Sequence, residues 1–179
     1  MEYNKQVMNL IVGLGNPGKE YEHTYHNVGR MALEHWLAQT DADATFRRHG
    51  DYFEYARSGD IVFVRPLTFM NESGLAVREA AKHFTIKPED IVVLHDDSDI
   101  PLGEYKISFG GGAAGHKGVQ SVIDHLHTED FSRGRIGIRD PQEQTRKKAG
   151  DFVLDAVTPT DRNMLAGVFA EIEASALRA

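Results

Sequence analysis

Asp90-Ile-Val-Val-Leu94 runs straight into His95-Asp-Asp-Ser-Asp-Ile-Pro101, so an apolar stretch ends in a cluster of charge. Ile91 to Leu94 is an unbroken apolar run with no polar alternation, which reads as a strand buried on both faces. The polar cluster then falls at the carboxyl end of that strand, where open α/β sheets gather their ligands. A second run, Asn9 to Leu14 (NLIVGL), is closed by Gly15-Asn-Pro-Gly18 and reads as another buried strand. Tyr52 to Arg57 and Ile61 to Arg65 flank Ser58-Gly59-Asp60 as a hairpin, and Leu67 to Asn71 follow its second strand.

Helical spacing fills the gaps. Val28, Ala32 and Trp36 form one stripe over His26 to Gln39, with Leu33 and Leu37 beside it. Glu72 to Phe84 and His116 to Leu126 read as further helices, with strands at Tyr105 to Phe109 and Arg135 to Ile138. Thr158-Pro159 looks like an N-cap with proline at the first helical position, opening a C-terminal helix over 158–178. Strands alternating with helices predict an α/β fold, and the hairpin makes the sheet mixed. The expectation is one three-layer domain over 1–179, a twisted mixed sheet flanked by helices, with 1–8 as an N-terminal extension.

Composition sets the outer limits. The chain of 179 residues is 41% hydrophobic and 26% charged, ordinary for a globular domain that buries its own core. It contains no cysteine, which excludes disulfides, thiolate metal sites and cysteine catalysis. The first residues hold no apolar signal core, and Leu10 to Leu14 is too short to span a membrane, so a cytoplasmic protein is expected. A formal charge of -7 argues against generic nucleic-acid binding, yet Arg133, Arg135, Arg139, Arg146, Lys147 and Lys148 crowd one stretch. Such a stretch can grip a short piece of backbone, or be only a solvated face.

Three motifs carry candidate chemistry. Gly13-Leu-Gly15-Asn-Pro-Gly18 formally satisfies G-x-G-x-x-G, but Pro17 removes an amide that a pyrophosphate would need. The region that should hold a second strand is helical instead. The simpler reading is a tight turn that leaves Asn16 pointing into a cleft. Gly110 to Lys117 misses a P-loop, because the lysine is one place late and no Ser or Thr follows it. It remains a glycine loop before a helix, either a mobile surface loop or one that brings amides to an anionic group. His95, Asp96, Asp97 and Asp99 invite a metal, but no second acidic cluster completes a shell. The alternative is a carboxylate that orients a histidine. His26, at a helix start beside Asn27 and close after the Asn16 turn, is the histidine chosen for that pairing, since the helix dipole disfavours a cation there. With no G-x-S-x-G elbow present, a histidine base acting on water is the natural hydrolytic mechanism.

Together these segments resemble the bacterial peptidyl-tRNA hydrolase family. The resemblance spans roughly Leu10 to Leu154 and rests on Gly13–Tyr21, Thr24–Gly29, Arg65–Asn71, His95–Pro101, the Gly110–Gly118 loop and Arg135–Ile138 in order. It implies cleavage of the ester between an N-blocked peptide and the 3′ ribose of tRNA, with His26 as general base and Asp96 as its partner. It further implies that Asn16 distinguishes a blocked amino group, and that Phe69, Met70 and Asn71 hold the 3′ end and the ester. Tyr21 would contact tRNA, and Lys106 and Arg135 would clamp a phosphate without reading sequence. No metal or other cofactor is implied, and the partner is peptidyl-tRNA, bound by a monomer. Three features depart from the family pattern, one being that Arg139-Asp140-Pro141 follows the Arg135 strand with less glycine than usual. His116-Lys117 replaces a His-Asn pair that contributes to substrate binding, where the lysine can still donate to an oxyanion or phosphate. Ser108 stands where some relatives carry a further lysine. The main competing reading is a non-catalytic RNA-binding relative of the same fold.

Overall fold

The computed structural model describes residues 9–143 and 145–176. The expected extension over 1–8 lies outside the described residues. The strands are β1 (Asn9–Gly13), β2 (Arg47–His49), β3 (Phe53–Ser58), β4 (Ile61–Pro66), β5 (Ile91–Pro101), β6 (Tyr105–Phe109) and β7 (Ser132–Arg139). They form one sheet in the order β2-β3-β4-β1-β5-β7-β6. The four central strands are parallel, while β2 and β3 at one edge and β6 at the other run antiparallel to their neighbours. The sheet is therefore mixed, with more antiparallel edge than the hairpin alone required.

Helices cover both faces. The first layer is α1 (Val28–Thr40) with α4 (Pro159–Ala176), and the second is α2 (Ser73–Phe84) with α3 (Lys117–Leu126). Alternate residues of each central strand serve the two layers. Ile11 and Leu94 pack with Leu33, Trp36, Val168 and Ile172 on one side. Val12 and Val93 pack with Val77, Val119 and Val122 on the other. Burial on both faces explains why these strands read as continuous apolar runs. The Thr158 hydroxyl accepts the Asp161 N–H at 3.1 Å, the bond that an N-cap makes to the third helical residue. Among the described residues no helix is long and apolar enough to cross a membrane.

Two glycines bring the site together. A Cβ on Gly29 would overlap the Leu94 carbonyl, so α1 lies directly on β5 only because that position has no side chain. A Cβ on Gly118 would strike the Met70 sulfur, so the start of α3 closes onto the turn after β4. The strand order reverses beside β1, and its carboxyl end, with that of β5, marks the switch point where such sheets bind ligands.

Candidate active site

A cleft of about 520 Å³ opens at that switch point. β1 supplies its following turn with Asn16, and β5 supplies His95, Asp96 and Asp97. The 3-10 turn Tyr25–Asn27 brings His26, the turn after β4 brings Met70 and Asn71, and the start of α3 brings His116 and Lys117. Residues 149–154 close the far side with Ala149, Gly150, Val153 and Leu154.

His26 Nδ1 lies 3.0 and 3.1 Å from the two carboxylate oxygens of Asp96. A carboxylate accepts only, so the proton sits on Nδ1 and the Nε2 lone pair is left for the cleft. The backbone fixes the ring's base as well, because the His26 N–H donates to the Val153 carbonyl at 2.7 Å. Asp96 is 2% exposed. Burial pushes its carboxyl upward, but the N–H donors of His116 and then His26 outweigh this and hold it below the usual carboxylate range.

The second histidine on Asp96 is His116, whose Nε2 lies 2.8 Å from Oδ1. Its Nδ1 accepts the Gly118 and Val119 N–H groups at 3.1 and 3.2 Å, so the imidazole is the N-cap of α3. His26, Asp96 and His116 form the cluster among the described residues whose donor atoms, within 4.8 Å of one another, could meet an ion. The hydrogen-bond pattern opposes that use. Both imidazole nitrogens facing Asp96 carry protons, and freeing His116 Nε2 as a ligand would move its proton to Nδ1 and break the cap. His95 lies behind this pair, its ring 4.9 Å from that of His116 and its Nδ1 2.7 Å from the Asp96 carbonyl. Burial pushes its pKa down to about 3, so His95 is neutral.

Asn16 is held from three sides. Its backbone N–H donates to Asn27 Oδ1 at 2.9 Å, and its carbonyl accepts from Asn27 Nδ2 at 3.0 Å. Its own Oδ1 accepts the Met70 N–H at 2.8 Å, which leaves the Nδ2 donor for a ligand in the cleft. Asn71 lines the same cleft. Phe69, 52% exposed, meets Tyr21 edge-on at 6.3 Å between ring centroids. That pair lies outside the lining of the cleft, as does Lys106. Lys106 and Arg135 are directly opposed across β6 and β7, and the Arg135 guanidinium donates to Asp97 at 2.8 Å. Lys117 is exposed at the first position of α3.

Several expectations change in the structure. His95, Asp96 and Asp97 do not follow the buried strand but belong to it, because β5 continues to Pro101 against β7. The crowded cations are not one free patch. Arg133 is buried, and Arg135, Arg139 and Arg146 face Asp97, Glu143 and Asp99 respectively. Nor does the glycine loop hang free. The Arg133 guanidinium donates to the Gly112 and Gly110 carbonyls at 2.9 and 2.6 Å and ties the loop to the sheet. Asn27 and Arg133 are thus structural parts of the site that the sequence reading did not single out. The available signal for Arg133 was its place two residues before Arg135, on the same face of the same strand.

A parallel α/β centre that presents a carboxylate-oriented imidazole and an amide donor in one cleft at its switch point fits the class of hydrolases. A sequence model of the family described as Peptidyl-tRNA hydrolase matches residues 10–178, and the chain belongs to this family. It is 43% identical over 172 residues to the peptidyl-tRNA hydrolase of Lactobacillus delbrueckii subsp. bulgaricus, covering 93% of this chain and 89% of that protein. The Aquifex aeolicus peptidyl-tRNA hydrolase is 36% identical over 172 residues, covering 95% of this chain and 88% of that one. The crystal structure of the Acinetobacter baumannii peptidyl-tRNA hydrolase superposes with a TM-score of 0.83 at 30% identity, covering 94% of this chain and 86% of that chain.

Proposed function

We propose that this chain hydrolyses the ester between the peptide of peptidyl-tRNA and the 3′ ribose, acting as a cytoplasmic monomer. The observation that carries the reading is the His26–Asp96 pair, whose geometry leaves one base nitrogen, unpartnered among the described residues, on the side of the cleft. His26 Nε2 takes a proton from water as the water oxygen attacks the ester carbonyl. Asp96 stabilises the imidazolium that forms, without itself taking the proton. The imidazolium then returns the proton to the departing 3′ oxygen, so the base is regenerated in one turnover.

The free Nδ2–H of Asn16 suits the carbonyl of an N-blocked residue, a group that an unblocked amino acid does not have. That difference favours peptidyl over aminoacyl ester, since a polar site rejects a substrate that cannot pair with it. Asn71 and Met70 hold the ester end, Phe69 and Tyr21 offer aromatic faces to the terminal nucleotides, and Lys106 with Arg135 meets a phosphate. Lys117 brings a positive charge to the same opening. A purely RNA-binding role has no use for a base nitrogen held open beside a buried carboxylate. The test is hydrolysis of N-acetyl-aminoacyl-tRNA beside its unacetylated counterpart. Selective release of tRNA from the acetylated form is expected, and equal or absent cleavage of both would overturn the assignment.

A further inference from the structure

His116 stands at the junction of two systems, the reactive carboxylate and the first turn of α3. Its Nε2 lies 2.8 Å from Asp96 Oδ1, the same oxygen that lies 3.0 Å from His26 Nδ1. Its Nδ1 is occupied by two helix amides. The two sets of bonds demand opposite things of the ring, a proton on Nε2 and a lone pair on Nδ1, and only one neutral tautomer satisfies both. A second proton would have to go to Nδ1 and would expel both amides from the cap.

We propose that His116 is a positioning residue for the ester hydrolysis inferred above. Locked as the neutral Nε2–H tautomer, it shares Asp96 with His26 and thereby limits how strongly Asp96 stabilises the His26 imidazolium. The role acts through Asp96 and needs no contact with the substrate. His26 and His116 are the two N–H donors to this buried carboxylate, so removal of the His116 N–H leaves the acceptor capacity of Oδ1 largely to His26. His26 then holds its proton more tightly and acts as a base only at higher pH.

The charged and titratable groups around the pair come from three elements. β5 contributes His95 and Asp97, β7 contributes Arg133 and Arg135, and α3 contributes Lys117. Asp97 is engaged by Arg135 and Arg133 by the loop carbonyls. The turn with Met70 and Asn71 and the segment with Ala149, Gly150, Val153 and Leu154 bring uncharged side chains. Among the described residues, Asp96 is the side chain hydrogen-bonded to both imidazoles.

His116→Asn tests the proposal, because asparagine is among the preferred N-caps yet is too short to cap α3 and reach Asp96 together. The thermal midpoint should stay near that of the unaltered protein. The acidic limb of kcat/KM against pH should move up by about half to one pH unit, lowering the rate on that limb about 3- to 10-fold. His116→Ala should give the same shift with a lower thermal midpoint. An unmoved acidic limb in folded His116→Asn, or a loss equal at every pH, would overturn the role. Histidine 15N spectra of the free protein give an arm independent of substrate and of variant folding. They should assign the His116 proton to Nε2 with Nδ1 as acceptor, and a proton on Nδ1 would refute the lock. Failure of the unaltered protein to cleave N-acetyl-aminoacyl-tRNA would count against the function while the spectra still decide the tautomer.

Discussion

Replacing Asp96 by asparagine changes almost no volume and isolates the charge of the carboxylate. The carboxylate receives two N–H donors, from His26 at 3.0 Å and from His116 at 2.8 Å. Both rings converge on Oδ1, so an amide oxygen there leaves the NH2 in the place of Oδ2, 3.1 Å from His26 Nδ1, where a donor now meets the N–H that the carboxylate accepted. If the NH2 faces His26, that ring must offer a lone pair at Nδ1, and its proton moves to Nε2, where the base should be. If it faces His116, the proton moves to Nδ1 and the α3 cap is lost. The first outcome keeps both cap bonds and is favoured. The lost charge-assisted bond alone is worth about 1.5–3 kcal/mol, roughly 10- to 150-fold in rate, before the tautomer cost is added. An analogous change in a serine-protease triad costs roughly 10⁴-fold. We therefore expect single-turnover cleavage of N-acetyl-aminoacyl-tRNA to fall by about 10²- to 10⁴-fold in Asp96→Asn, with substrate affinity little changed. A variant within about tenfold of the unaltered protein would refute the reasoning, because the oriented tautomer would then be dispensable.

Two further outcomes follow from buried groups elsewhere in the site. His95, with its pKa pushed down to about 3, stays neutral in the folded chain, whereas the unfolded chain takes up its proton near pH 6.5. Its contribution is complete above that value and is lost as the pH falls toward 3. Unfolding free energy should thus drop by about 2 kcal/mol between pH 7 and 5, and urea titrations of His95→Gln should show a shallower slope over that range; an equal slope would place the proton uptake elsewhere. Gly29→Ala puts a methyl into the Leu94 carbonyl and should cost about 1–3 kcal/mol as α1 lifts from β5, with lower activity because His26 moves with it. Unaltered stability and rate in that variant would show that the close approach does not position the base.

Much of the fold is legible in the chain because its central strands are buried on both faces. Asn9 to Leu14 and Ile91 to Leu94 announce themselves as apolar runs, and Thr158-Pro159 marks the start of α4 to the residue. β2 is invisible in the sequence. Arg47, Arg48 and His49 are all exposed and pair through their backbone with β3, so no apolar alternation marks the strand. The length of β5 escapes for a related reason. His95 to Asp97 look like a loop by polarity, yet their backbone pairs with Arg135, Ile136 and Gly137 while their side chains find partners in the cleft. Asn16, His26 and Asp96 stand in the sequence as three separate strand-end or helix-start residues. Their convergence depends on Asn27, whose side chain imitates a peptide against the Asn16 backbone. Such a contact across eleven residues leaves no periodic trace. The cations of the Arg133 to Lys148 stretch mislead for the opposite reason, since proximity in sequence says nothing about which of them are already paired in space.

The most direct test of the central claim is the cleavage of N-acetyl-aminoacyl-tRNA by the unaltered protein and by His26→Ala under single-turnover conditions. Hydrolysis by the first is expected, with a loss of at least about 10²-fold in the second, the contribution of a general base, while tRNA binding persists. Equal hydrolysis by both proteins would contradict that claim.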